Sequence, residues 1–126
     1  MERRLSVKKL EQTLQEMKEI SRMEFLLFSK SGKMIAATDE EIGEDIPEAV
    51  KIFSKSLAES QVVQNWLFFR VEVDGELEYI LLCSQNTGID TAYVVGRMAV
   101  CQIRNLCISV NEPLDKIHFL RQILNG

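Results

Sequence analysis

Trp66, Phe68 and Arg70 alternate within one apolar stretch, Trp66 to Val73 (WLFFRVEV), and a period of two puts all three on one face of a strand. Two aromatic walls beside a guanidinium could hold a small anion. The rings supply apolar contact, and arginine grips a carboxylate or phosphate through a rigid fork of donors. These three are the candidate ligand-binding residues. The same set also suits a structural role, with the rings packed under a helix and Arg70 paired to Glu72, Glu76 or Glu78, because a buried guanidinium must find an anion from somewhere.

Other chemistry is thin. His118 is the single histidine, far in sequence from any cysteine, and the chain holds no HExxH or CxxC motif on which to build a metal site. Of the three cysteines, Cys83 falls in a strand pattern, while Cys101 and Cys107 lie on different faces of one helix. No base sits beside any of them in sequence, so they read as small buried hydrophobes. Asp39, Glu40, Glu41, Glu44 and Asp45 crowd one loop. A loop this polar stays wet, its charge favours the N-terminus of the helix that follows, and its spacing is not that of an EF-hand. Gly43, Gly75, Gly88 and Gly96 are scattered and form no phosphate-binding loop. The expectation is a chain with no catalytic residue, no metal and no cofactor.

The elements that would position Arg70 follow from patterning. Ser6 is a candidate N-cap, and Val7, Leu10, Leu14 and Met17 alternate spacings of three and four along an amphipathic helix. Glu24–Ser29 and Met34–Thr38 read as two strands joined by a turn at Lys30–Lys33, where Gly32 can take positive φ. Pro47 marks the first turn of a second helix, Ile46 to Ser60, with a stripe of Ile46, Val50, Phe53 and Leu57. Trp66–Val73, extended upstream to Val62 at most, forms a hairpin with Glu76–Ser84 through Asp74-Gly75. Leu67, Phe69, Val71 and Val73 should share one face, and so should Leu77, Tyr79, Leu81 and Cys83. A long helix then runs from an N-cap at Asp90 to Ser109, its main stripe being Val95, Met98, Ala99, Gln102, Ile103, Leu106 and Val110. Val94, Cys101 and Ile108 extend its apolar surface round the side. After Pro113 a last short helix spans Leu114–Leu124.

The order α-β-β-α-β-β-α-α implies an α+β fold, an antiparallel sheet of two hairpins flanked by helices. The PAS, GAF, profilin and roadblock groups share that arrangement. At 126 residues and 46% hydrophobic, the chain has room for one core. Residues 1–112 form the expected sensory and dimerisation domain, and 113–126 the start of an output helix. A net charge of −4 argues against direct nucleic-acid binding, since the one dense basic cluster, Arg3, Arg4, Lys8 and Lys9, is followed at once by Glu11, Glu16 and Glu19. No apolar run is long enough to span a membrane, and three cysteines do not make a disulfide framework, so a cytoplasmic location is expected.

Tyr93–Leu124 carries Gln102, Ile103, Asn105 and Leu106, then Asp115, Lys116, Phe119, Ile123 and Leu124. This pattern resembles the junction region of PucR/CdaR-type transcription regulators, and Val71–Leu82 (VEVDGELEYILL) resembles the hairpin before it. The resemblance implies a ligand-responsive domain that signals to a C-terminal helix-turn-helix outside this chain. Sugar diacids are not carried over as ligand. The expected partners are a second copy of the chain, docked through the Val7–Met17 seam and the Val94, Cys101, Ile108 side face, and a small anion. DNA would be met only through the absent domain. The alternative is a roadblock- or profilin-like interaction adaptor with no small-molecule ligand.

Overall fold

The computed structural model describes residues 6–39, 42–85 and 88–111. The elements run α1 (Val7–Ser21), β1 (Phe25–Ser29), β2 (Met34–Ala37), α2 (Ile46–Ser54), β3 (Ser60–Val63), β4 (Trp66–Val73), β5 (Glu76–Ser84) and α3 (Ile89–Asn111). The five strands form one antiparallel sheet in the order β2-β1-β5-β4-β3. The architecture is the α+β, helix-flanked antiparallel sheet that the two hairpins imply, with one strand more than the sequence suggested. The expected helix Leu114–Leu124, the 113–126 division and His118 lie outside the described residues.

That added strand is β3. Ser60–Val63 pairs with Phe69–Trp66 across a tight turn in which Gln64 takes φ 55°. It is a separate edge strand and not an upstream extension of β4. The expected turns otherwise form where their residues demand them. Gly32 (φ 91°) closes the β1–β2 hairpin, and Asp74 (φ 54°) with Gly75 (φ 81°) closes β4–β5, positive φ at both central positions matching the twist of the strands.

Each sheet face has its own cover. The α1–α3 side buries Leu10, Leu14, Phe25, Leu27, Leu67, Phe69, Val71, Val73, Leu81, Cys83, Ala99, Val100 and Ile103; the α2 side buries Leu26, Phe28, Ile46, Val50, Phe53, Phe68, Ile80 and Leu82. The alternation expected for β4 is the one observed. β5 departs from its pattern at one point. Val71 faces Tyr79 but Glu72 faces Leu77, so Glu78 is a bulge residue that turns Leu77 to the α2 side.

The helices differ from expectation in three ways. Ser6 makes no side-chain cap, and α3 starts at Ile89, which leaves Asp90 within the first turn. α2 stops at Ser54, so Leu57 is fully exposed instead of completing the buried stripe. α3 is rotated about its axis relative to the predicted stripe: Ala92, Gly96, Ala99, Val100, Ile103 and Cys107 face the sheet, whereas Met98 and Gln102 face out. The physical reason for the rotation is close approach. Small residues let the helix settle on the Phe69 ring, and a side-chain carbon at Gly96 would lie 2.5 Å from Phe69 Cζ.

Candidate functional site

β4 places Trp66, Phe68 and Arg70 on the α2 side of the sheet, as the alternation requires. Phe68 is completely buried and meets Phe53 of α2 edge-on, with ring centroids 5.6 Å apart. Trp66 is half-buried at the margin of the same cluster. The sheet gathers all three, but beneath a helix.

Arg70 is held by that helix. Its Nη1 donates to the carbonyl oxygens of Ser56 at 2.9 Å and Phe53 at 3.4 Å, and its guanidinium carbon lies 5.9 Å from the centre of the Phe53 ring. These acceptors belong to the last turn of α2 and the residues just beyond it, where helical carbonyls lose their intrahelical donors and the helix dipole is negative. Ser56 adds a hydroxyl bond to the same Phe53 oxygen, and Ser54 bonds back to Lys51 O. Side-chain donors competing for these carbonyls account for the early end of α2. Arg70 therefore works as a cross-strand cap for a helix fourteen or more residues upstream. None of Glu72, Glu76 and Glu78 forms its expected ion pair. Replacing Arg70 by alanine should destabilise the fold by about 1.5–3 kcal/mol, the range for charge-assisted bonds whose acceptors are left half-buried. Urea denaturation measures this, and Arg70→Lys should recover part of it.

Cys83 and Cys107 are buried as expected, whereas Cys101 is not and corrects that reading. Burial pushes the Cys83 thiol up to about 12, and its sulfur donates to Ala92 O. Burial, then the charge of Glu78, also raises Cys107, while Cys101 is exposed on α3. No group of three or more His, Cys, Asp or Glu residues suited to a metal ion occurs among the described residues. Among them, too, no helix is long and apolar enough to cross a membrane.

A second surface was not foreseen. β3 closes the sheet on one side, and among the described residues no strand pairs with its outer edge. Val62 on this strand is 49% exposed, and Leu57, three residues before it begins, is fully exposed; Ile52 of α2 is also 64% exposed. One sequence signal existed. Ile52 lies off the α2 stripe, so it had no place in the core. The α1 seam, by contrast, is spent on the protein's own sheet, where Leu10 and Leu14 are completely buried. Those two residues are withdrawn from the docking expected of the seam, while Val7 stays 48% exposed.

No family model and no curated protein matches the sequence. The solved structure of Myxococcus xanthus MglB is similar in fold, with a TM-score of 0.58 at 10% identity, over 85% of this chain and 93% of that one. At that identity the likeness speaks for architecture alone: the chain has an α+β fold similar to the roadblock/longin-like fold of MglB.

Proposed function

We propose that the chain is a non-catalytic protein-interaction adaptor, roadblock-like and without a small-molecule ligand, that pairs with a second copy of itself. The observation that carries this reading is the edge of β3, unpaired among the described residues, with Val62 exposed on the strand and Leu57 exposed just before it. An open sheet edge offers a row of backbone donors and acceptors, and apolar side chains next to it give a partner something to bury. Two β3 strands laid antiparallel about a two-fold axis satisfy both needs. Their sheets join into one. The fold shared with MglB is in keeping with a scaffold. So is the use of Arg70, whose guanidinium already serves α2.

Sedimentation tests the proposal. The chain should run as a dimer at tens of micromolar, and Leu57→Asp combined with Val62→Lys should leave a folded monomer. A monomeric parent chain, or a dimer indifferent to both changes, overturns it.

The resemblance of Tyr93–Leu124 to PucR/CdaR-type regulators favours a second reading, a sensory module whose DNA contact belongs to a separate C-terminal domain. In that case Arg70, Trp66 and Phe68 would bind a small anion. A melting-temperature rise with phosphate or a dicarboxylate, lost in Arg70→Ala, would favour this reading over the adaptor.

A further inference from the structure

The outward face of α3 carries a seam of its own. Val94, Met98, Cys101, Asn105 and Ile108 follow one another at spacings of four, three, four and three, the repeat that keeps one stripe of a helix facing another helix. Its first four members lie opposite the buried stripe, while Ile108 packs partly against the α1–α3 core. Val94 is 58% and Met98 57% exposed, Cys101 and Asn105 are exposed, and Ile108 is half-buried. Nothing among the described residues covers Val94, Met98 or Cys101.

Charge indicates what would. The chain as a whole is acidic, yet beyond Asp90 in its first turn α3 contains no aspartate or glutamate and two arginines, Arg97 and Arg104. These stand seven residues apart, two helical turns, on one flank of the seam. Arg97 is paired with Glu59 at 2.9 Å. Arg104 reaches only the sulfur of Cys101, at 3.6 Å, and among the described residues no carboxylate lies within ion-pair distance of it.

We infer that this face docks an amphipathic helix of a partner protein, one with an apolar stripe of alternating three and four spacing and carboxylates along the flank that meets Arg104. A bilayer surface suits it less. Interfacial helices present a broad apolar face and many cations, whereas this seam is one residue wide, includes Asn105 and has two. A polar residue at one seam position fixes the register of a helix pair, a role with no counterpart on a lipid surface. The inference rests on the adaptor reading and adds a site away from the β3 edge.

The test uses the full chain and a labelled synthetic helical peptide, with leucines at the matching spacing and glutamates on both flanks, followed by fluorescence anisotropy. A twin peptide carries lysines in place of the glutamates. The glutamate peptide should bind, with the lysine peptide weaker by roughly tenfold or more. Met98→Glu should abolish binding, and Arg104→Glu should reverse the preference between the two peptides. Met98 and Arg104 are surface positions, so circular dichroism and melting temperature should confirm that both variants fold.

Equal binding of the twins, or binding unaffected by Met98→Glu, overturns the inference. So does binding of the chain to phosphatidylserine vesicles that Met98→Glu removes. If Met98→Glu turns a dimer into a monomer, the seam belongs to a second copy and the inference fails. If instead the chain is monomeric but still discriminates between the peptides, the β3-edge pairing fails and this site stands.

Discussion

Phe68→Ala should lower the stability of the fold by about 3–5 kcal/mol, the range for truncating a buried aromatic. Phe68 is completely buried and sits where the sheet meets α2. Its ring lies edge-on to Phe53, a geometry that adds to the stabilisation from area alone. Truncation leaves a cavity bounded by Leu26, Phe28, Val50 and Leu82 on elements that cannot all move in to fill it. It also loosens Phe53, whose ring underlies the Arg70 guanidinium, so part of the loss reaches the C-terminal cap of α2. Denaturant unfolding with an unchanged m-value would show this directly. A loss below about 1 kcal/mol, far under the usual range for a buried aromatic, would mean that the ring is not a core residue and would return it to the ligand reading.

Gly96→Val should cost about 3 kcal/mol or more, and Gly96→Ala somewhat less, because overpacking a tight contact typically costs 1–3 kcal/mol and valine adds bulk to it. Taken alone, alanine is the better helix former by about 1 kcal/mol, so the sign of the effect depends on the Phe69 contact. An added carbon would lie 2.5 Å from Phe69 Cζ and 3.0 Å from Cδ2, far inside van der Waals distance. Phe69 has little room to yield, since it is fully buried and its ring lies 5.8 Å from that of Tyr93. α3 must therefore lift from the sheet, exposing Ala99, Val100 and Ile103 together. Combining Gly96→Ala with Phe69→Leu should give a loss smaller than the sum of the two, and a double-mutant cycle measures that coupling. Simple additivity would show that the contact is not what holds α3 in place.

Local features were readable from sequence and distant ones were not. The Asp74-Gly75 hairpin and the two faces of β4 follow from turn chemistry and a period of two, both contained within a few residues. β3 escaped notice because it is short, carries Gln61 beside its valines, and turns at Gln64, a residue type that does not advertise positive φ. The bulge at Glu78 left no mark in composition, so Leu77 was given the wrong face. The facing of α3 has little signature in the sequence, because the residues that bring it closest to the sheet, Ala92, Gly96 and Ala99, weigh little in a hydrophobic pattern. The grouping of Trp66, Phe68 and Arg70 was legible, but the partner of Arg70 was not. Its acceptors are the backbone carbonyls of Phe53 and Ser56, and a carbonyl has no side-chain signature.

The strand order also governs how the chain must assemble in time. β3, β4 and β5 are consecutive neighbours and form by closing short turns. β1 lies between β2 and β5, and its pairing joins Phe25 to Cys83, Leu27 to Leu81 and Ser29 to Tyr79, contacts between distant parts of the sequence. Closing a long loop costs chain entropy before any contact across it is gained, so such pairings form slowly. Strands β3 to β5 are thus a local meander that can gather early, while the β1–β2 hairpin waits as a separate piece. Their junction completes both cores at once, because β1 contributes Phe25 and Leu27 to one face and Leu26 and Phe28 to the other. During synthesis the first hairpin leaves the ribosome well before its partner strand exists, and its apolar residues stay uncovered until β5 follows.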